Sequence, residues 1–108
     1  MPPGPDDPPQ GSFAVIFISK LKAEAPGYEQ TARRMVELVE SMPGFLGLES
    51  WRDADGRGVT ISYWRDENAI AGWRDHPEHA EARRRGDEQW YDDWRIQVCR
   101  IERAVRKS

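Results

Sequence analysis

WRDENAIAGWRDHPEHAEARRRGDEQWY, residues 64–91, is the stretch on which the fold turns; it holds three of the five tryptophans and both histidines. Asp66 suits the start of a helix, where a short acidic side chain accepts a free backbone N–H. Glu67 follows in the first turn, where the helix end favours negative charge. Ala69, Ile70 and Trp73 then share one helix face. His76-Pro77 interrupts it. A residue before proline avoids the helical region, whereas proline itself fits the first position of a new helix. The spacing predicts one helix ending near Asp75. A second, capped by His76, runs towards a stop at Gly86.

On either side lie runs that read as strands. Residues 59–64 (VTISYW) alternate, with Val59, Ile61 and Tyr63 on one face and Thr60, Ser62 and Trp64 on the other. The Asp53-Ala54-Asp55-Gly56 turn joins them to a strand over residues 45–52, giving a hairpin. Before it, Tyr28, Ala32, Met35, Val39 and Met42 recur at helical spacing for about four turns, until Pro43-Gly44 stops them. Residues 13–21 (FAVIFISKL) form a first strand that is apolar on both faces, as a strand covered on both sides is. Residues 91–103 form the last strand. Trp94, Ile96 and Val98 alternate there with Arg95 and Gln97. Ile101 falls on the other parity, so a bulge is expected near Cys99.

The order β-α-β-β-α-β predicts an α+β fold of the ferredoxin-like kind, an antiparallel four-stranded sheet with helices on one face. The other face then needs a cover. In a chain of 108 residues a second copy is the economical source. The expectation is a homodimer with sheets packed face to face.

Residues 1–11 (MPPGPDDPPQG) contain five prolines and almost nothing to bury, so they read as a disordered tail before a domain over residues 12–108. The net charge of −3 lacks the basic footprint of a nucleic-acid binder. Arg83, Arg84 and Arg85 sit among acids and read as a solvated helix face. The single cysteine, Cys99, cannot form an internal disulfide. It reads as a small core residue of a cytoplasmic protein. No run is long and apolar enough to span a membrane, and the N-terminus has no basic-then-apolar signal pattern.

The chain resembles the antibiotic biosynthesis monooxygenase family of the dimeric α/β-barrel superfamily. Met42-Pro43-Gly44-Phe45 with Gly47, then Ser62-Tyr63-Trp64, carry the first part of the resemblance. Glu67-x-x-Ile70-x-x-Trp73, His76-x-x-His79, Ala82, Gly86 and Trp90-Tyr91 carry the rest. The resemblance implies a ferredoxin-like unit pairing into a dimeric α/β barrel, with a pocket between sheet and helices. Its members include cofactor-free oxygenases of polyketide quinone precursors, quinol monooxygenases and haem-degrading enzymes.

What the resemblance implies for this chain is a monooxygenase without a cofactor, acting with dioxygen on an aromatic, phenolic or quinol compound. His76 and His79 are the candidate catalytic residues, because imidazole titrates near neutrality. Trp64, Trp73, Trp90 and Tyr91 are the candidate substrate-binding residues. Each also has a plain structural reading: His76 as a helix cap, His79 as a packing histidine, the tryptophans as core and Tyr91 as a strand anchor. Trp51 and Trp94 are better placed for sheet packing or a dimer interface. A metal site is not expected, since the histidines are three apart across a proline with no third ligand. No Gly-rich phosphate loop is present.

Two other functions compete. One is a non-catalytic dimer, binding small molecules or serving a stress response through the same pocket. The other is haem binding or breakdown, for which the resemblance implies a pocket tryptophan, a histidine ten residues later and a first-strand asparagine. Trp73 fits, but Arg83 stands at the histidine position and residues 13–21 contain no asparagine.

Overall fold

The computed structural model describes residues 8–107. Its elements run β1 (Phe13–Leu21), α1 (Tyr28–Val39), β2 (Phe45–Arg52), β3 (Arg57–Trp64), α2 (Glu67–Arg74), α3 (Pro77–Arg85) and β4 (Tyr91–Arg100), with a π-helical turn over Gly86–Trp90 between α3 and β4. The strands form one antiparallel sheet in the order β2-β3-β1-β4. This is the expected α+β ferredoxin-like fold.

β1 lies between two partners, β3 and β4, and its residues 13–18 are apolar on both faces. Phe13, Val15, Phe17 and Ser19 share the face of Trp64, Ser62, Thr60 and Gly58 across the β1–β3 ladder. The helices cover this face. Val39 of α1, Leu48 of β2, Trp64 of β3 and Ala69 of α2 form the buried core, with Val15, Met42, Phe45, Ile70 and Trp73 packed around it. The opposite face carries Ile16, Ile18, Val59, Ile61 and Tyr63, with Trp51 57% exposed at its β2 side.

The turn into β2 needs glycine. Gly44 has φ 82°, and a Cβ there would stand 2.5 Å from the Ala69 methyl. Asp66 caps α2 as expected, accepting the Ala69 N–H at 2.8 Å. Pro77 opens α3 after His76.

Several boundaries differ from expectation. α1 ends at Val39, short of Met42. Met42 precedes a proline, so the chain tightens into three-residue turns, Ser41 N–H to Leu38 O and Met42 N–H to Val39 O. Gly86 does not end the helical run. Its φ is −59°, and the chain continues through the π-helical turn, closed by the Tyr91 N–H on the Gly86 carbonyl. Glycine is needed there for space instead, since a Cβ would meet the Tyr91 ring at 2.7 Å. β4 shows no bulge near Cys99; its ladder with β1 is regular from Arg100 to Asp93 and slips by one residue at Asp92. Cys99 is exposed, not core, because β4 is an edge strand with every residue after Tyr91 open to solvent.

Of the expected tail, residues 1–7 lie outside the described residues. Residues 9–12 form a turn, and Gly11 and Ser12 exchange backbone hydrogen bonds with Ile101, both at 2.8 Å. Ile101 therefore pairs with the chain that leads into β1, one residue beyond the Phe13–Arg100 pair.

Asp66→Ala removes the only side-chain cap on α2. It should lower unfolding free energy by about 1 kcal/mol in urea titration, leaving α3 intact.

Candidate active site

The break between α2 and α3 organises the first cluster. Pro77 stands four residues after Trp73 and has no N–H to give the Trp73 carbonyl. The His79 side chain supplies one: its Nδ1 lies 2.8 Å from that oxygen. A carbonyl only accepts, so Nδ1 carries the proton and Nε2 is the unprotonated nitrogen. Arg83 does the same one residue on, its Nη1 donating to the Arg74 carbonyl at 3.2 Å. His76 Nδ1 accepts the Glu78 N–H at 3.2 Å, as a helix cap. Together with the His76 N–H, which reaches the Trp73 carbonyl at 3.2 Å, these side chains close the backbone groups at the helix break.

The same bond lays the His79 ring flat on Trp73, with centroids 4.0 Å apart and planes at 11°. Trp73 in turn stacks on Trp64 at 6.5 Å, and Phe45 meets Trp64 edge-on at 5.4 Å. The His76 ring lies 6.1 Å from Trp73. Trp64 is wholly buried, its indole N–H bonded to Ser62 Oγ at 2.9 Å. Trp64 is thus the floor of a column, Trp73 its middle and His79 its top. Burial depresses the His79 pKa to about 4, and the nearby Arg83 and His76 charges push the same way, against the Trp73 hydrogen bond. His79 is therefore neutral across the physiological range.

Trp90 and Tyr91 do not join this column. Along β1, Phe13 pairs with Trp64 and Leu21 with Tyr91. Eight residues at roughly 3.3 Å each put about 26 Å between the two ends. The candidate residues of the 64–91 stretch therefore fall into two clusters, because the helices return the chain to the other end of the sheet. Trp90 is 3% exposed, with its N–H on the Pro26 carbonyl at 2.9 Å. The Tyr91 ring meets Phe17 at 5.4 Å and Tyr28 at 6.0 Å. Burial and the neighbouring Tyr28 raise its phenol pKa well above the ordinary value.

Sequence reading missed Arg52 at this end. Its guanidinium lies over the Tyr28 and Tyr91 rings, 5.6 and 5.9 Å from their centroids, and donates to Ser19 Oγ at 3.0 Å. The hairpin register held a signal. Arg52 pairs with Gly58, where the bare Cα leaves a path across β3. Trp51 and Trp94, expected together in sheet packing or an interface, lie on opposite faces. Trp51 shares a row with Val59, whereas Trp94 stands opposite Ser19 and bonds Asp87.

A groove of about 480 Å³ runs between α1 and α3, lined by Met35, Pro77 and Ala82 and bridged by Arg34 and Glu78 at 2.8 and 2.9 Å. Among the described residues, no three His, Cys, Asp or Glu side chains gather as a metal would need.

A ferredoxin-like sheet whose covered face carries a tryptophan–histidine column defines the class of the protein as an α+β domain. Residues 13–85 match the family described as antibiotic biosynthesis monooxygenase, and the chain belongs to that family. An uncharacterized protein of Bacillus subtilis, YqjZ, is 47% identical over 91 residues, covering 84% of this chain and 80% of that one. The jasmonate monooxygenase ABM of Pyricularia oryzae is 24% identical over 99 residues, covering 89% of this chain; the match spans about half of that protein, 46%. Among solved structures, the cofactor-independent oxygenase SnoaB of Streptomyces nogalater superposes with a TM-score of 0.75 at 13% identity, covering 90% of this chain and 99% of that one. That likeness is one of fold.

The His79 pKa carries a stability signature. An ordinary histidine at 6.5 protonates in the unfolded chain before His79 does at about 4 in the folded one. Its contribution is present above pH 6.5 and is lost as pH falls through 4. Between pH 7 and 5 the wild type should lose on the order of 1–2 kcal/mol more than His79→Gln, measured by urea unfolding at both pH values.

Proposed function

We propose that the protein is a monooxygenase without a resident cofactor, acting on a small aromatic, phenolic or quinol compound. The observation that carries this reading is the column Trp64–Trp73–His79. It joins a flat aromatic surface to a histidine that keeps an unprotonated Nε2. Nε2 has no hydrogen-bond partner among the described residues and is not a buried orphan, so it retains access to solvent. Membership of a monooxygenase family and the fold shared with a cofactor-independent oxygenase support it.

In this reading Trp73 orients the substrate ring and His79 Nε2 accepts a proton from it, with His76 as the second candidate. The electron-rich anion passes an electron to dioxygen, and the two radicals combine at carbon. For an anthrone-type CH2, the hydroperoxide loses water to leave a ketone. One oxygen atom enters the substrate and the other departs with the two hydrogens. The carbon passes from CH2 to C=O, so the substrate supplies all four electrons that reduce dioxygen. A site shielded from water protects the intermediate. Trp90 and Tyr91, at the far end of the sheet, have no place in that step.

A second reading keeps the ligand and drops the chemistry. The bond from His79 to the Trp73 carbonyl favours it, because that bond gives the histidine a purely structural task. Oxygen uptake with a panel of anthrones and quinols separates the two. The proposal expects one oxygen molecule consumed per product, with a rate reduced at least about a hundredfold in His79→Gln, the low end of what acid–base catalysis contributes. Binding with no oxygen uptake across the panel, at pH 7–8, favours the non-catalytic reading. A haem titration in parallel expects no Soret shift.

The open face of the sheet supports a homodimer, with Ile16, Ile18, Val59 and Ile61 covered by a second copy. Ile61→Arg should convert the dimer to a monomer in light scattering. A wild type that is monomeric at micromolar concentration would sink this proposal. Among the described residues no helix is long and apolar enough to cross a membrane. A cytoplasmic setting remains part of this proposal.

A further inference from the structure

The end of the sheet away from His79 concentrates features that packing alone does not require. β3 carries glycine at position 58, where a Cβ would stand 2.7 Å from the Arg52 guanidinium. A glycine inside a strand marks a close approach. Here Arg52 crosses β3 to reach Ser19 on β1, which is 2% exposed. The guanidinium also donates to the Gly56 carbonyl at 2.6 Å and the Tyr28 hydroxyl at 3.3 Å. Every partner is a neutral oxygen. Among the described residues, no carboxylate lies within ion-pair distance of Arg52, although other arginines here do hold carboxylates. A half-buried cation normally has a counter-charge, since desolvating it alone is costly. Five N–H groups are available and three are used.

Two backbone irregularities bring aromatic rings to this arginine. The π-helical turn at Gly86–Trp90 delivers Trp90 and Tyr91, and turns of this kind concentrate at functional sites. The slip at Asp92 re-aims the start of β4, as bulges beside sites do. Tyr28 and Tyr91 flank the guanidinium, while Phe17 and Trp94 extend an aromatic surface from Tyr91 towards solvent, with ring centroids 5.4 and 6.4 Å apart. Trp94 is 44% exposed. The arrangement is a fixed cation at one end of an aromatic shelf.

We propose that Arg52, with the Tyr28 and Tyr91 hydroxyls, binds the carboxylate of a small aromatic acid whose ring lies along Phe17 and Trp94. The missing counter-charge comes from the ligand. This site lies at the other end of the sheet from His79, so it stands whether or not His79 acts on a substrate.

The test is isothermal titration of the full chain with benzoate, its neutral isostere benzamide and inorganic phosphate, with tryptophan fluorescence as a second readout. Benzoate should bind saturably and quench fluorescence. Benzamide and phosphate should bind at least about tenfold more weakly, the scale of one charge-assisted contact. Arg52→Gln should weaken benzoate at least tenfold, and His79→Gln should leave it unchanged. If Arg52→Gln does not fold, Tyr28→Phe keeps the ring and removes one hydroxyl, and it should weaken benzoate about threefold or more. Three results would each overturn the proposal: no saturable benzoate binding at millimolar concentration, equal affinity for benzamide or phosphate, or benzoate affinity untouched in a folded Arg52 or Tyr28 variant. Loss of benzoate binding in His79→Gln would also overturn it, by tying the ligand to the column.

Discussion

Trp64 has no exposed surface, and much of the fold is arranged to keep it so. It is the last residue of β3, paired with Phe13 on one side and Phe45 on the other. A tryptophan at a strand end would ordinarily meet solvent. Here the bulge in β2 brings Phe45 against it, α1 lays Val39 over the core, and α2 lays Ala69 and Trp73. Gly44 lets the chain turn tightly enough for Ala69 to approach. Burying so large a ring is among the strongest single apolar contributions a small domain has. The column of rings that leads to His79 rests on it.

The helix break is the second constraint, and it depends on the first. Pro77 withdraws the helical N–H from the Trp73 carbonyl, leaving it the His76 N–H at 3.2 Å and room for a second donor. His79 supplies that donor and stacks on the indole in the same geometry. The proton on Nδ1 holds the kink, and that leaves the lone pair on Nε2 for any reaction. An Asp or Glu carboxylate there could not donate to the carbonyl, and a Leu would leave it only the His76 N–H.

The two ends of the sheet divide the residues that the sequence groups together. Trp64, Trp73, His76 and His79 gather at one end. Trp90 and Tyr91 stand at the other, with Tyr28 and Arg52. Proximity along the chain misled here because α2, α3 and the π-helical turn carry the backbone from one end of the sheet to the other. Two of the four proposed substrate-binding residues belong to a different environment from the histidines. The exposure of Cys99 has a different origin: it pairs with Ala14 on an edge strand, on the face away from the helices.

Local chemistry determined a good deal. Proline, glycine and capping residues act over three or four positions, so the β-α-β-β-α-β order and the Asp66 and His76 caps were legible, as were β1 and β2. The apolar character of both faces of β1 marked it as central. Tertiary structure alone decided the rest, because the deciding contacts join residues far apart in sequence. No pattern announces that Arg52 crosses Gly58 to Ser19, 33 positions away, or that the Trp90 indole seeks the Pro26 carbonyl, 64 positions away. The state of His79 was equally invisible: a histidine's charge follows its burial and its partners, and both exist only once the chain has folded around Trp64.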